Sequence, residues 1–244
     1  MGYAVGFYES FGMRFPDPLE RGTLVRRYKR FLADVRLEDG REITAHVANP
    51  GGMIGLADPG IEVWLSPARN PARKLRWSWE LARIDDKLVG VNTAWPNAIV
   101  AEAIDDGRIA ELAGYQSLRR EVKYGQNSRI DVLLEAPDQT PCYVEVKNVH
   151  LKRDHGAEFP DAVTARGTKH LRELASMVAA GSRAVMVYLV QREDCADFRI
   201  AGDIDPTYNA AFAEALDNGV EALCYACRLS TERIDLDAPL PITR

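Results

Sequence analysis

Apolar and polar residues alternate between about residues 19 and 92 in short runs with the period of β-strands. Turn-forming pairs such as Asp39-Gly40 and Pro59-Gly60 separate these runs. Short strands at this spacing within some 75 residues predict a small barrel, and an OB-like barrel is the natural candidate. The predicted strands are Thr23–Val25, Phe31–Leu37, Ile43–Val47, Ile61–Leu65, Trp77–Ile84 and Leu88–Val91.

The pattern changes after Trp95, where apolar residues begin to recur at helical spacing. Asn97 is predicted to cap this helix and Gly114 to close it. The elements that follow predict the order α-β-β-β-α-β, then a last helix and strand. They are the strands 118–124, 130–134 and 143–149, a helix at 164–180, a buried strand at 184–190, a helix at 208–218 and a strand at 220–229.

Composition is that of a soluble globular protein large enough for two modest domains, with 244 residues, 46% of them hydrophobic and 27% charged. The apolar run Ala184–Val190 is too short to span a membrane. Residues 1–12 lack the features of a secretory signal, so we expect a cytoplasmic protein with no membrane partner.

The formal net charge of -5 is unevenly distributed, at -1 in residues 1–13, +3 in residues 14–92 and -7 in residues 93–244. This asymmetry fits a first half that holds a polyanion and a second half whose carboxylates hold a cation. It fits equally well two solvated surfaces that happen to differ.

Cysteine usage predicts free thiols. Cys224 and Cys227 form a C-x-x-C pair, but they lie in a predicted strand. Residues three apart on a strand point to opposite faces, so this pair is not expected to bind zinc.

Basic residues in the first half cluster in two places, the second of them beside Trp77 and Trp79. Basic grooves with stacking aromatics bind single-stranded nucleic acid in OB folds. In the alternative interpretation, the tryptophans belong to the core and the arginines form a solvated rim. The candidate nucleic-acid ligands of this half are Arg26, Arg27, Arg30, Arg73 and Lys74.

Three charged residues lie on two predicted strands of the second half. Asp131 is in the strand at 130–134, and Glu145 and Lys147 are in the strand at 143–149. Because side chains alternate along a strand, Glu145 and Lys147 share one face. A short connection rich in Pro and Asp predicts a hairpin that brings Asp131 to the same face. Two carboxylates and one ammonium group are therefore expected to converge.

This group suits hydrolysis of a phosphodiester. Asp131 and Glu145 are the predicted ligands of Mg²⁺ or Mn²⁺, which prefer carboxylate oxygens. Lys147 is predicted to orient the nucleophile and stabilise the transition state. Glu102 on the preceding helix is the preferred third carboxylate, with Glu121 as the alternative. A surface salt bridge between Glu145 and Lys147 is the structural alternative.

The helix predicted at 164–180 begins with several side chains suited to a phosphate. Arg166, Lys169 and His170 are candidates to contact the scissile group.

A series of longer motifs runs in order from about Met13 to the C-terminus. They are His46–Met53, Val91–Thr93, Glu111–Tyr115, Ser128–Asp131, Val144–Val149 and Phe159–Leu171. With these motifs the sequence resembles the sugar fermentation stimulation protein A family.

The resemblance implies an OB-like domain at residues 13–93, followed at 94–244 by a restriction-endonuclease-like α/β domain of the PD-(D/E)xK type, and DNA binding. Residues 1–12 form an extra N-terminal segment outside the resemblance. Where many relatives read Pro-Asn-Thr-Gly, this chain has alanine, asparagine, proline and glycine at 48–51. Asn49 is carried over as a nucleic-acid-binding candidate.

The function predicted from these observations is a DNA-binding protein with a Mg²⁺- or Mn²⁺-dependent phosphodiesterase site. The substrate's strandedness, a role for RNA and a homodimeric state are left open. The alternative is a non-catalytic DNA-binding regulator of sugar-metabolism genes on a nuclease-like scaffold. A protein-interaction module without a nucleic-acid partner is a third reading, which steep salt dependence of DNA binding would exclude.

Overall fold

The computed structural model describes residues 12–125, 128–154 and 156–243. The predicted extra segment at residues 1–12 therefore lies outside the described residues, apart from Gly12. No helix in the described part of the chain is both long and apolar enough to cross a membrane.

A β-barrel follows the short first strand β1 (Met13–Arg14). Its strands β2, β3 and β4 form an antiparallel meander, and β5 pairs with β2. Strand β6 pairs with β5 and, in parallel, with β4, which closes the barrel, and β7 adds to its edge. The predicted OB-type barrel is confirmed. The strands are β2 (Glu20–Tyr28), β3 (Leu32–Leu37), β4 (Glu42–His46), β5 (Glu62–Pro67), β6 (Trp77–Ile84) and β7 (Lys87–Gly90).

Trp79 lies in the core of this barrel. Its side chain is fully buried, and its indole Nε1 donates a hydrogen bond to the carbonyl oxygen of Leu81 at 2.8 Å. Trp77 is half-buried against the same core. The core interpretation is therefore correct for Trp79, which has no face available for stacking on a base.

The second unit is a seven-stranded mixed sheet with helices on both faces, in the strand order β1-β16-β15-β13-β10-β9-β8. Strands β10, β13 and β15 are parallel to one another, as expected when helices connect them. A small sheet of β11, β12 and β14 lies beside it. The elements are α1 (Pro96–Asp105), a 3₁₀ turn (Ala110–Leu112), β8 (Ser117–Tyr124), β9 (Ser128–Ala136), β10 (Gln139–Val149), β11 (Leu151–Arg153), β12 (Gly156–Phe159), α2 (Ala165–Ala179), β13 (Arg183–Val190), β14 (Phe198–Ile200), α3 (Pro206–Asp217), β15 (Glu221–Leu229) and β16 (Arg233–Pro239).

The predicted α-β-β-β-α-β order is confirmed as α1, β8, β9, β10, α2 and β13. The restriction-endonuclease-like fold class is confirmed with it. The small sheet and β16 were not predicted. Strand β1 pairs with β16, and Met13 and Phe15 pack in the core of this second unit. The residues predicted to start the barrel domain thus contribute to the other sheet.

Both predicted ends of α1 were wrong. Trp95 occupies the N-cap position without a side-chain hydrogen bond, and Asn97 lies inside the first turn. The helix ends at Asp105, long before Gly114. The helical spacing of apolar residues continues past this end because Ile109 and Leu112 pack on the same core from the 3₁₀ turn.

Cys224 and Cys227 lie on β15 as predicted, and both are buried free thiols. Cys224 packs in the core with Tyr188, whereas Cys227 packs in the core on the opposite face of the sheet with Val187. Their predicted separation is confirmed.

Candidate active site

A cleft of about 470 Å³ lies between the barrel and the central sheet of the second unit. Arg30 and the loop at 49–51 line it from the barrel side. Asp131, Glu145 and Lys147 line it from the sheet side. The hairpin of β9 and β10 brings these three residues together, because Val132 on β9 pairs with Val144 on β10.

Asp131 is held by two donors. Its Oδ1 accepts a hydrogen bond from the side-chain amide of Asn97 at 2.7 Å, and its Oδ2 accepts one from the backbone N–H of Val146 at 2.8 Å. Burial and the nearby charge of Glu145 nevertheless raise the pKa of Asp131 to about 6. Asp131 is thus positioned by neutral donors and lacks a cation strong enough to offset its burial.

The two oxygens of Glu145 have different surroundings, although the residue is only 2% exposed. Oε1 accepts hydrogen bonds from Lys147 Nζ at 2.7 Å and from His170 Nδ1. Oε2 is buried and has no hydrogen-bond partner among the described residues. Burial acts to raise the pKa of Glu145, but Lys147 and His170 outweigh it, and the pKa lies below its usual range. Glu145 is therefore ionised, with one oxygen uncompensated.

His170 acts on Glu145 from the first turns of α2. Arg166 Nε donates to His170 Nε2 at 3.3 Å. His170 Nδ1 is in hydrogen-bond contact with Glu145 Oε1 and lies 3.2 Å from Lys147 Nζ. Both ring nitrogens of His170 are engaged and its side chain is buried, so it is placed to orient Glu145, and it also lines the cleft. Arg166 is exposed and lines the cleft.

Arg27 organises the loop at the barrel side of the cleft. Its guanidinium donates to the carbonyl oxygens of Arg30 (3.1 Å), Asn49 (2.9 Å), Gly51 (3.0 Å) and Gly52 (3.3 Å). An arginine used in this way has few donors left for a nucleic acid, so the structure assigns Arg27 a structural role.

Asn49 is likewise committed to the fold. It is 2% exposed, its Nδ2 donates to the carbonyl oxygen of Val91 at 3.0 Å, and its Oδ1 accepts from the N–H of Gly51 at 2.9 Å. The predicted contact of the Asn49 side chain with nucleic acid is therefore not supported. The asparagine shapes the loop through which the barrel meets the cleft.

Replacing Arg27 with alanine is expected to lower the thermal midpoint of unfolding by roughly 4 to 8 °C, because several carbonyl groups lose a charged donor. Arg26 provides the control, since it is exposed and forms a single ion pair with Asp34 at 2.8 Å. Differential scanning calorimetry of the two alanine variants checks this. If Arg27→Ala unfolds at the wild-type temperature, the structural assignment is incorrect.

The remaining candidates lie away from the carboxylate pair. Glu102 lies on α1 more than a turn beyond Asn97, which contacts Asp131. The Glu102 carboxylate instead accepts a hydrogen bond from the Gly12 N–H, and its Oε1 lies 3.5 Å from Arg108 Nη2. It is therefore not a third carboxylate of the cluster. Glu121 is exposed but close enough to contribute to the raised pKa of Asp131.

The other predicted nucleic-acid ligands lie outside the cleft lining. Arg26 pairs with Asp34, and Arg73 donates to Ser78 Oγ at 3.2 Å. Lys74 is exposed on the barrel. Lys169 lies 3.6 Å from Glu173 on the same helix. Of the predicted cations, Arg30 and Arg166 line the cleft directly.

Two cleft residues, His150 and Asp161, were missed by the sequence prediction. Asp161 Oδ2 lies 2.9 Å from His150 Nε2 and accepts a hydrogen bond from the Met53 N–H at 2.9 Å. A side chain at Gly52 would approach the Asp161 carbonyl oxygen to 2.7 Å, so only glycine fits there. These contacts fix the barrel loop against the second unit. The Phe159–Leu171 motif contained Asp161, but no local pattern indicates a partner on another domain.

The carboxylates of the cleft are few. In residues 12–125, 128–154 and 156–243, no three His, Cys, Asp or Glu side chains are grouped closely enough to hold a metal ion by themselves. A cation at Asp131 and Glu145 would thus take its other ligands from water or substrate, as Mg²⁺ commonly does.

Comparisons with known proteins cover both units. Residues 25–91 match the SfsA N-terminal OB domain, and residues 94–233 match the sugar fermentation stimulation protein RE domain. The sugar fermentation stimulation protein homolog of Paramagnetospirillum magneticum is 68% identical over 93% of this chain and 97% of its own. That of Rhodospirillum centenum is 63% identical, over 95% and 100%. The solved structure of Pyrococcus furiosus SfsA in complex with Ca²⁺ superposes with a TM-score of 0.87 at 26% identity, over 96% and 100%.

Proposed function

The chain belongs to the sugar fermentation stimulation protein family. From this premise we propose that it is a Mg²⁺- or Mn²⁺-dependent nuclease that cleaves DNA and has Asp131, Glu145 and Lys147 in its active site. The observation that carries the proposal is the Glu145 carboxylate, ionised and buried with Oε2 lacking a partner among the described residues. A buried carboxylate oxygen without a hydrogen-bond partner is costly, and a cation in the cleft would remove that cost.

The donor set fits a hard divalent cation. Asp131 and Glu145 present carboxylate oxygens, the ligands that Mg²⁺ and Mn²⁺ prefer. Burial and the charge of Glu145 raise the pKa of Asp131 to about 6 in spite of Lys147, so a further positive charge beside the two carboxylates would be favourable. A relative whose structure was solved in complex with Ca²⁺, another cation with oxygen ligands, supports the proposal.

Each residue has a separate part in the proposed reaction. Asp131 and Glu145 would hold the divalent cation, which would offset the phosphate charge and lower the pKa of a water molecule. Asn97 and the Val146 N–H hold Asp131, and His170 fixes the orientation of Glu145. Lys147, at 2.7 Å from Glu145, places an ammonium group where negative charge develops on the phosphate. Arg166, at the mouth of the cleft, binds a further phosphate oxygen.

Cleavage of single- and double-stranded DNA and RNA in Mg²⁺ or Mn²⁺ distinguishes this proposal from the alternative of a non-catalytic regulator. The nuclease proposal requires that wild-type protein shortens at least one substrate and that Asp131→Ala does not. Binding of DNA with no cleavage in either metal would favour the regulator. A regulator has no evident need for carboxylates that repel the phosphate backbone.

The raised pKa of Asp131 gives a pH dependence of stability in the absence of metal. The native carboxyl holds its proton up to about pH 6, whereas the unfolded one releases it near 3.8. The native state thus binds more protons in this window, and the contribution of Asp131 to stability falls as the pH rises through it.

The quantity to follow is the free energy of unfolding of wild type minus that of Asp131→Asn, both in the presence of a chelator. This difference is expected to fall by about 2 to 3 kcal/mol between pH 4 and 7. Urea unfolding of both proteins across this range measures the difference. Saturating Mg²⁺ should abolish the fall. A difference that stays constant or rises in chelator would contradict the assigned environment of Asp131.

A further inference from the structure

The hairpin of β8 and β9, at the edge of the central sheet, carries three exposed cations. They are Arg120 and Lys123 on β8 and Arg129 on β9. None of the three forms an ion pair with a described residue, whereas Arg119, next to Arg120 on the same strand, pairs with Glu135 at 2.7 Å. Residues 117–130 hold four Lys or Arg and one Glu, although the second half of the chain is acidic as a whole. We refer to Arg120, Lys123 and Arg129 as the basic arm.

Two cations of the basic arm face each other across the hairpin. Lys123 pairs directly with Arg129 in the register of the two strands, and both line one depression of about 370 Å³. Like charges in directly opposed positions destabilise a sheet. A lysine on an edge strand such as β8 protects that edge from pairing with another chain. This protection does not account for Arg129, because β9 lies one strand further in. The pair therefore indicates a partner that supplies negative charge.

The basic arm points to the face of the sheet that α1 covers. Val122 and Ile130, which alternate with its cations, pack in the core with Leu174 of α2, so the cations lie on the opposite face. Asp131 is contacted from this opposite face, because Asn97 at the start of α1 donates to its Oδ1 at 2.7 Å. A molecule bound along the basic arm would thus reach Asp131 without crossing the sheet.

The distance from the basic arm to the carboxylates is short. The pairing of β9 with β10 ends at Val132, whereas its pairing with β8 continues to Ser128, so the two strands diverge at Asp131. Arg129 is two residues from Asp131, or about 7 Å along the strand. Burial raises the pKa of Tyr124, next to Lys123, and the charges of Glu145 and Asp131 raise it further. The end of the hairpin therefore lies within electrostatic reach of both carboxylates.

We propose that the basic arm binds the phosphate backbone of DNA on one side of the phosphodiester that reaches Asp131 and Glu145. Three unpaired cations along a hairpin suit a partner whose negative charge repeats, and a nucleic-acid backbone has this property. The inference rests on the proposed function, because it extends the contact surface of the same substrate from the cleft to the edge hairpin. It makes the basic arm a determinant of affinity and leaves the chemistry to the carboxylates.

Fluorescence anisotropy of a labelled DNA duplex, titrated with protein in chelator at several salt concentrations, tests the inference without cleavage. Each of Arg120→Gln, Lys123→Gln and Arg129→Gln should reduce the slope of log affinity against log salt by about one, and the triple variant by about three. Arg119→Gln is the matched control, because Arg119 is exposed on the same strand but already paired with Glu135. It should keep the wild-type slope.

Lys123→Glu separates binding from a structural role. Opposite charges would then face each other across the hairpin, so the thermal midpoint of unfolding is expected to rise. Affinity for DNA should nevertheless fall by roughly tenfold or more, since a charged contact with a phosphate is lost. Differential scanning calorimetry and anisotropy on the same preparation measure the two effects.

Wild-type affinity and salt slope in the triple variant would overturn the inference, and so would an equal loss in Arg119→Gln. Binding of labelled poly-glutamate but not of DNA would also overturn it, because the basic arm would then fit an acidic protein. The nuclease proposal fails separately. A wild-type protein whose DNA binding depends on the basic arm, but which cuts no DNA in either metal, retains this inference and loses the nuclease. Full DNA cleavage with unchanged binding by the triple variant has the opposite meaning.

Discussion

Lys147→Met is expected to reduce the rate of phosphodiester cleavage roughly a hundred- to a thousandfold, as removal of one transition-state donor does in other enzymes. Methionine keeps the length of the side chain and removes its charge. Lys147 Nζ lies 2.7 Å from Glu145 Oε1, and Lys147 lines the cleft where the phosphate would bind. Single-turnover cleavage in saturating metal measures the effect on chemistry apart from metal affinity.

Metal binding should survive this substitution. Lys147 competes with a cation for Glu145, so its loss leaves the carboxylates more negative and metal affinity equal or higher. Lys152→Met is the matched control, because Lys152 pairs with Asp194 at 2.8 Å outside the cleft lining. If Lys147→Met cleaves at the wild-type rate, or if Lys152→Met loses as much, the assigned role of Lys147 is incorrect.

Glu145→Gln is expected to abolish the stabilisation that a divalent cation gives to the folded protein. A ligand at a hundred times its dissociation constant stabilises by about 2.7 kcal/mol, which raises the thermal midpoint of a protein this size by roughly 5 to 10 °C. Glutamine has nearly the same shape but no charge, so this shift should disappear together with cleavage. Thermal unfolding with and without Mg²⁺ or Mn²⁺ measures it.

Glu102→Gln is the control for this substitution. Glu102 was the third carboxylate predicted from the sequence, but its side chain binds the Gly12 N–H and approaches Arg108. It should keep the full metal-dependent shift. An equal loss in Glu102→Gln and Glu145→Gln would mean that the cation binds elsewhere. Circular dichroism of both variants establishes that they are folded.

The strands of the barrel, the central strands of the second unit and the Asp131, Glu145 and Lys147 group could be predicted because they follow from local patterns. Side chains on β9 and β10 alternate between the two faces of the sheet, so Glu145 and Lys147 share one face. The short connection between the strands makes a hairpin, which brings Asp131 to that face. The ends of α1 could not be predicted in this way. Ile109 and Leu112 continue the apolar spacing from a 3₁₀ turn, and periodicity does not distinguish that turn from a helix.

The surroundings of the site depended on contacts between distant segments. Asn97 was assigned a capping role from its position before an apolar stripe, yet it donates to Asp131, 34 residues away. Asn49 and Arg27 resemble ligands in sequence, but Arg27 donates to backbone carbonyls such as that of Asn49, and the Asn49 side chain donates to the carbonyl oxygen of Val91. The contact between Asp161 and Met53 joins the two domains. Such partners are set by tertiary packing, which a single sequence does not display.

The measurement that tests the central claim most directly is cleavage of DNA by chelator-treated wild-type protein, before and after addition of Mg²⁺ or Mn²⁺, beside Asp131→Ala purified in the same way. The account predicts no cleavage in chelator, cleavage restored by either metal, and none by Asp131→Ala under any condition. Wild-type protein that fully binds metal and DNA but leaves every phosphodiester intact would contradict it. Equal cleavage by Asp131→Ala would do the same.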